Sequence, residues 1–192
     1  MNLLLKNVAQ HISLTSEEEN HLLSLTELRR YPAKSILLNS GDICTHSYFV
    51  NSGVLRSFTI NDNIVEHVLN FACSGWWIAD FYSLISQKPG SLFIDAIEDT
   101  EVVLLSKENQ NQLYRDIPKF ERFFRILVEN SLVANQQRIM DNLSMTAEER
   151  YAQFLKRYPN LANQIPQKHL ASYIGVTPEF FSKMKASYLK RL

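Results

Sequence analysis

The distribution of glycine constrains this 192-residue chain more than any other feature of its sequence. Four of the five glycines lie between residues 41 and 90, among short runs rich in Val, Ile, Phe and Tyr. Turn residues separate these runs, which lie at residues 47–53, 54–60, 64–71, 91–97 and 100–105. Hairpin signals at such short intervals predict about six to eight antiparallel strands that close as a sandwich or barrel. No helical segment separates the strands, which argues against a parallel Rossmann sheet.

Both ends of the chain have the periodicity of helices. Ser16 and Glu19 are spaced as a capping box, and leucines at helical spacing follow until Pro32 ends the run. After Pro118 the segment up to Leu143 contains no Gly or Pro, which predicts one long helix. Its apolar residues cover more than half of the helix circumference, more than one covered face needs. We therefore expect this helix to pack on its own domain and on a second copy, the dimer contacts being Phe120, Phe124, Leu127, Val128, Leu132 and Ile139. Burial in the core of a monomer is the alternative.

Residues 165–185 have the layout of a helix-turn-helix motif. Gly175 suits a tight turn that needs positive φ, Thr177 is a good N-cap, and Pro178 fits the first position of a second helix. The residues expected to face inward are Leu170, Ala171, Ile174, Val176, Phe181, Met184 and Tyr188. The outward face of the second helix then carries Glu and Lys near its N-terminus.

Charge is unevenly distributed along the chain, although its net charge is zero. Residues 144–192 carry eight Lys and Arg against three Asp and Glu, whereas residues 1–143 carry 12 against 17. A basic C-terminal segment with an outward helix predicts binding to DNA, with phosphate charge also supplied by Lys190 and Arg191. The predicted DNA-binding residues are Gln167, Lys168, Thr177, Pro178, Glu179, Phe180, Ser182, Lys183 and Lys185. A helical hairpin with solvated charges is the alternative.

Composition excludes several classes of protein. The chain is 45% hydrophobic and 21% charged, as globular proteins are, and no apolar run approaches the ~18 residues of a membrane span. Two cysteines provide no disulfide framework, which favours a reducing compartment, the cytoplasm. The sequence has no nucleophile elbow, P-loop or metal-spaced His pair, so we expect neither an enzyme nor a metal site. The less favoured alternative is a metal site built from Cys44, His46, His67 and Cys73.

The order of these segments resembles the cyclic-AMP receptor protein and fumarate-nitrate regulator (Crp/Fnr) family of bacterial transcription factors. The residues that carry the resemblance lie at 41–42, 48–53, 75–81, 98–104 and 165–185, and the Trp-Trp-Ile-Ala-Asp segment at 76–80 is most similar to short members common in Bacteroidetes. The resemblance implies an α+β chain with three parts. These are a cyclic-nucleotide-binding-like antiparallel β-roll or jelly roll at 1–117, a dimerisation helix at 118–143, and a helix-turn-helix domain at 144–192.

Departures from the family predict what the chain binds. Nucleotide-binding members hold the ribose with Glu and the cyclic phosphate with an Arg ten residues later, and a hydroxyl residue follows; the matching positions are Asp80, Gly90 and Ser91. Loss of the Arg removes a charge-assisted bond of roughly 1.5–3 kcal/mol, so we expect no tight cyclic-AMP binding, with Lys88 as the alternative cation. The predicted effector pocket, for an unknown small molecule, comprises Trp76, Trp77, Asp80, Phe81 and Ser91. The equal alternative is that these aromatic residues fill the core of the roll.

Two further elements of the family are missing from the pattern. No cysteine precedes Cys44, so an iron-sulfur cluster is not expected, and we expect no cofactor. No obvious wing follows the second helix of the motif, which predicts fewer phosphate contacts and greater dependence on the remaining Lys and Arg.

The sequence thus predicts a homodimeric regulator with a degenerate effector domain. Its expected partners are double-stranded DNA at a near-palindromic site, RNA polymerase and a possible small effector, without a membrane. The alternative is a ligand-sensing or interaction module of the same fold that no longer reads DNA sequence.

Overall fold

The computed structural model describes residues 2–159 and 161–190. Within these residues the helices and strands alternate in the predicted α+β pattern, in the order α1 (Leu3–Ala9), α2 (Ser16–Ser24), β1 (Thr26–Tyr31), β2 (Ile36–Leu38), β3 (His46–Ser52), β4 (Val54–Ile60), β5 (Glu66–Cys73), β6 (Trp77–Ile78), α3 (Phe81–Ser86), β7 (Phe93–Ala96), β8 (Thr100–Ser106), α4 (Lys107–Asp116), α5 (Lys119–Ser144), α6 (Ala147–Arg157), a short 3₁₀ turn (Leu161–Asn163), α7 (Gln167–Ile174) and α8 (Pro178–Leu189). The chain divides into two compact units. The first contains the residues up to Ser57 and Phe71–Ser131, and the second contains Phe58–Asn70 and the residues from Leu132 onward.

Two four-stranded sheets form the predicted β-roll. One sheet has the strand order β1-β8-β3-β6 and the other β2-β7-β4-β5, so the expectation of six to eight strands is confirmed for the described residues. Strand β8 pairs antiparallel with both β1 and β3, with Tyr48 opposite Leu104 and Val50 opposite Val102. These four side chains belong to an apolar core that also contains Leu55, Ile78, Ile94 and Ala96.

The predicted N-terminal helix is present, but its bounds are wrong at both ends. The N-cap of helix α2 is Thr15, one residue before the predicted Ser16. Its capping box pairs Thr15 with Glu18 and not Ser16 with Glu19. The helix ends at Ser24, and Thr26–Tyr31 forms strand β1 instead of a last helical turn. Pairing of all six β1 residues with β8 overrides the helical spacing of the leucines, and Leu28 is left exposed.

The long predicted helix is confirmed as α5, Lys119–Ser144. Phe120 and Phe124 are buried in a core cluster with Phe123, Leu113 and Val103, so their prediction as dimer contacts is wrong, since no surface of theirs remains for a partner. Leu127 is half-buried against the same cluster. The exposed apolar residues of α5 lie further along the helix and include Val128, Leu132, Val133, Ile139, Met140 and Leu143.

Candidate nucleic-acid interface

Helices α7 and α8 form the predicted helix-turn-helix. Gly175 ends α7 at a φ of 84°, a left-handed conformation that favours glycine. The N–H groups of Gly175 and Val176 donate to the carbonyl of Ala171 at 2.9 and 3.0 Å. The Thr177 hydroxyl then caps α8 by accepting the Phe180 N–H at 3.2 Å. Local backbone chemistry therefore sets the turn between the two helices.

The inner faces of both helices are buried as predicted. Phe181 is fully buried, and Tyr151 of α6 meets it edge-on with 5.2 Å between ring centroids. Tyr188 packs on the same Tyr151 ring at 5.6 Å, and burial raises the pKa of Tyr151. The other buried residues of the motif are Leu170, Ala171, Ile174 and Met184, whereas Val176 is only half-buried. This packing fixes which face of α8 turns outward.

The outward face of the motif carries the predicted DNA-binding residues. Glu179, Ser182 and Lys183 are three and four residues apart, so they share one face of α8. Phe180 beside them is 54% exposed, although it is large and apolar. The exposed members of the set are Gln167, Lys168, Thr177, Pro178, Glu179, Phe180, Ser182 and Lys183, and Lys185 is half-buried.

The charge on this face is mainly positive. Helices α7 and α8 carry Lys168, Lys183 and Lys185 against a single acidic residue, Glu179. Lys190 follows directly as the exposed C-cap of α8, and Arg191 lies outside the described residues. A surface of this charge and shape suits a polyanion.

Arg150 supports the motif from α6 and was not predicted. Its Nε donates to the Ile174 carbonyl at 2.9 Å and its Nη1 to the Met145 carbonyl at 2.6 Å. The turn between α7 and α8 is thereby tied to the segment that precedes α6. No sequence signal marks this role, because main-chain carbonyls accept hydrogen bonds whatever the residue type.

The N-terminus of α6 is fixed by a capping box that Thr146 and Glu149 form. The Thr146 hydroxyl accepts the Glu149 N–H at 3.3 Å, and the Thr146 N–H donates to the Glu149 carboxylate at 2.8 Å. This hydrogen bond lowers the pKa of Glu149.

The predicted effector residues differ in their surroundings and exposure. Trp77 packs into the core of the first unit against Phe49, with 5.2 Å between ring centroids, and its Nε1 donates to Asn7 Oδ1 at 3.2 Å. Asp80 is buried and caps α3 by accepting the Ser83 N–H at 3.1 Å. The three remaining residues are exposed on the surface: Trp76, Phe81 and Ser91. Trp77 thus packs against the core of the first unit.

Gly90 lies directly against the buried carboxylate. A Cβ atom on Gly90 would lie 2.1 Å from Asp80 Oδ2 and 3.0 Å from the Ser83 Cβ. Asp80 Oδ2 has no hydrogen-bond partner among the described residues. Any side chain at position 90 requires Asp80 to move.

Metal and membrane interactions find no candidates in the described part of the chain. No three His, Cys, Asp or Glu side chains come together there as a metal site would require, so the alternative metal site at Cys44, His46, His67 and Cys73 is not formed. None of the described helices combines the length and apolar character needed to cross a membrane.

Comparison with known proteins adds an independent line of evidence. A model of the cyclic nucleotide-binding domain matches residues 28–116. The anaerobic regulatory protein of Haemophilus influenzae is 24% identical over 93% of this chain and 73% of its own length. The fumarate and nitrate reduction regulatory protein of Vibrio cholerae is 24% identical over 80% of this chain and 65% of its own length.

Solved structures share the fold. The global regulator CLP of Xanthomonas campestris superposes with a TM-score of 0.75 at 17% identity, covering 92% of this chain and 93% of CLP. FixK2 of Bradyrhizobium japonicum superposes with a TM-score of 0.77 at 18% identity, covering 86% and 85%. The relatives are regulators and not enzymes, in agreement with the prediction for this chain. The β-roll, the long helix, the helix-turn-helix and the regulatory relatives support the resemblance to the Crp/Fnr family of transcription regulators that the sequence indicates.

Proposed function

We propose that this regulator works as a homodimer that inserts the two α8 helices into successive major grooves of a near-palindromic DNA site. The observation that carries the proposal is the exposed face of α8, where Glu179 and Lys183 lie opposite the buried Phe181 and Met184, and the exposed Phe180 lies at the edge of that face. In helix-turn-helix proteins the N-terminal residues of the second helix reach base edges.

The side chains on this face match the chemistry of base edges. Lys183 donates to guanine O6 or N7, Glu179 accepts from the cytosine amino group, and Phe180 contacts a thymine methyl group. Gln167 and Lys168, in the first turn of α7, are placed for phosphate oxygens. Reading of sequence is thus assigned to α8 and positioning on the backbone to α7.

The exposed apolar residues of α5 support a dimer. Leu132, Ile139 and Leu143 are 60–80% exposed, which is costly in water unless a second copy covers them. In such a dimer the two α8 helices would have to lie about 34 Å apart to reach half-sites separated by one turn of DNA. RNA polymerase is the expected further partner, and the place of action is the cytoplasm, where the chromosome lies.

The effector of the roll is not cyclic AMP in this proposal. The space that an arginine side chain needs at position 90 is taken by the Asp80 carboxylate, because even a Cβ atom would contact it at 2.1 Å. A small molecule that acts on the roll must therefore bind without an arginine at this position.

Operator selection from a random DNA library tests the proposal. We expect a near-palindromic site that the protein binds as a dimer in light-scattering measurements, with an affinity that falls as salt rises from 50 to 200 mM. The double variant Glu179→Ala with Lys183→Ala should weaken binding to the selected site by about 1–3 kcal/mol per lost base contact and relax its sequence preference.

Lys6→Ala is the matched control, since Lys6 is exposed on α1 and far along the chain from the motif. Binding to mixed-sequence DNA only, equally by wild type and double variant, would show a module that no longer reads sequence. A monomer at micromolar concentration would contradict the dimer.

A further inference from the structure

Residues 58–70, here named the 58–70 hairpin, group with the C-terminal helices and not with the β-roll. The hairpin consists of the end of β4, a turn and the start of β5. Both strands continue into the first unit, at Ser57 on one side and Phe71 on the other. One covalent segment therefore runs from the sheet of the roll into the DNA-binding unit.

Ser172 of α7 binds the main chain of this hairpin twice. Its hydroxyl donates to the Glu66 carbonyl at 2.7 Å and accepts the Val68 N–H at 3.0 Å. Residues 66 and 68 alternate along β5, so their main-chain groups point to the same side. The hydroxyl thus takes the place that a neighbouring strand would occupy.

Arg138 of α5 holds the next main-chain groups of the same strand. Its guanidinium donates to the Val68 carbonyl at 3.0 Å and to the Leu69 carbonyl. The same guanidinium lies over the Tyr173 ring, 4.3 Å from the centroid. Burial lowers the pKa of Arg138 and raises that of Tyr173. Ser172 and Tyr173 are adjacent on α7, so both contacts bear on the first helix of the motif.

A third contact joins the hairpin to the start of α7. Nδ1 of the buried His169 lies 3.8 Å from the Glu66 carboxylate. One strand of the hairpin is therefore held by three residues from two helices of the second unit, His169 and Ser172 of α7 and Arg138 of α5. The exposed face of α8 takes no part in these contacts.

We infer that Ser172 and Arg138 are positioning residues, which dock the 58–70 hairpin on α7 and so hold the helix-turn-helix in its DNA-binding position. The inference rests on the proposed function, since it assigns a regulation to the same interface. Docking leaves Glu179, Phe180 and Lys183 exposed, so it orders the motif without masking it. Because the hairpin is continuous with β4 and β5, a change in those strands of the roll reaches α7 through these bonds. Separation of the hairpin from α7 therefore weakens DNA binding.

Hydrogen exchange tests the docking without DNA. In the full-length Ser172→Ala variant the Val68 amide loses its acceptor, and we expect its exchange to accelerate roughly tenfold or more. Ser172→Thr keeps the hydroxyl and should retain protection. Ser144→Ala is the matched control, because the Ser144 hydroxyl only donates to Met140 within its own helix, at 2.8 Å. Unchanged protection of Val68 in Ser172→Ala would overturn the docking.

DNA affinity tests the consequence on the operator selected above. We expect Ser172→Ala to raise the Kd roughly three- to tenfold and the double variant with Arg138→Met to raise it further, since only the docked fraction binds well. Tryptophan fluorescence should report an unchanged roll, and Ser172→Thr should restore affinity, which a merely structural defect would not predict.

The outcomes separate the two claims. If the wild type binds the selected operator and Ser172→Ala binds it equally well or more tightly, the positioning role is overturned. The proposed function then still stands. A wild type that binds no DNA sequence overturns the proposed function and the DNA half of this inference, while the exchange rates still decide on the docking.

Discussion

Each unit of the molecule holds an arginine that is buried or half-buried, and the two units satisfy its charge in different ways. In the roll, Arg56 Nε and Nη2 each donate to one oxygen of Asp95 at 2.8 Å, and the Arg56 side chain is only 6% exposed. In the second unit, Arg138 donates to carbonyls of the 58–70 hairpin, and its buried Nε has no hydrogen-bond partner within residues 2–159 and 161–190. A two-point ion pair has no replacement inside the roll, whereas a carbonyl accepts equally well from water. The roll is thus built as a fixed frame, and the hairpin contact as one that can be exchanged.

Breaking the fixed pair should have the largest effect on stability. Asp95→Asn leaves the Arg56 charge buried without its counter-ion, and we expect the free energy of unfolding of the roll to fall by about 3–5 kcal/mol. Both tryptophans, Trp76 and Trp77, lie in this unit, so urea unfolding followed by their fluorescence reports on it.

Asp99→Asn is the control for this change. Asp99 is exposed and accepts the Ala33 N–H at 2.8 Å, a hydrogen bond that the amide oxygen of asparagine can also accept. If Asp95→Asn costs no more than Asp99→Asn, the roll does not depend on the pair and the contrast between the two units fails.

A second change tests how tightly the roll is packed around its other buried carboxylate. Gly90→Ala places a Cβ atom against Asp80, and the carboxylate cannot turn away without leaving the Ser83 N–H that it caps. We expect a loss of about 1–3 kcal/mol, the usual cost of overpacking, by the same fluorescence measurement.

The double variant Gly90→Ala with Asp80→Ser sharpens this test. Serine keeps a cap for α3 and removes the oxygen that the new methyl group would meet. The double variant should regain part of the stability lost in Gly90→Ala. If Gly90→Ala leaves the stability unchanged, position 90 tolerates a side chain. The Asp80 carboxylate would then not exclude an arginine from this position, as we argue that it does.

The difference between the units also explains what the sequence could predict. Gly175, Thr177 and Pro178 specify the helix-turn-helix through local backbone chemistry, and the structure agrees with them. Ser172 was not singled out, because its partner Val68 is 104 positions away and a hydroxyl on a helix has no distinctive pattern. Leu28 was wrongly predicted to be helical for the same reason: the strand at residues 26–31 is imposed by pairing with β8 and cannot be read from the spacing of Leu28 and the leucines before it.

The prediction of dimer contacts on α5 was wrong in part, for a related reason. Its periodicity showed apolar residues on two sides, but not which side its own domain covers. Phe120, Phe123 and Phe124 cluster edge-to-face with 5.0–6.4 Å between ring centroids, and this packing with the roll decides the question. What remains for a partner begins at Val128.

The two capping boxes provide the smallest and most direct comparison, through their response to pH. Glu18 in the first unit owes its lowered pKa first to the hydrogen bond from Lys119 Nζ, at 2.8 Å, and then to the Thr15 N–H. Glu149 in the second unit owes its lowered pKa to bonds from Thr146 alone. Since both values lie below the ordinary 4.5, the stability that these carboxylates contribute is present above pH 4.5 and is lost as the pH falls through the folded pKa.

Salt should separate these two sites in an NMR titration of the Thr15 and Thr146 amides, each of which donates to its carboxylate at 2.8 Å. Raising the salt to about 1 M shortens the screening length to about 3 Å and weakens the exposed Lys119 bond. The midpoint of the Thr15 amide should then move up toward 4.5, while that of Thr146 should stay nearly constant, because its bonds come from uncharged donors. Lys119→Met should reproduce the shift at low salt and remove its salt dependence. Equal salt shifts at both amides would show that the first helix gains nothing from its lysine, and that the two units begin their helices in the same way.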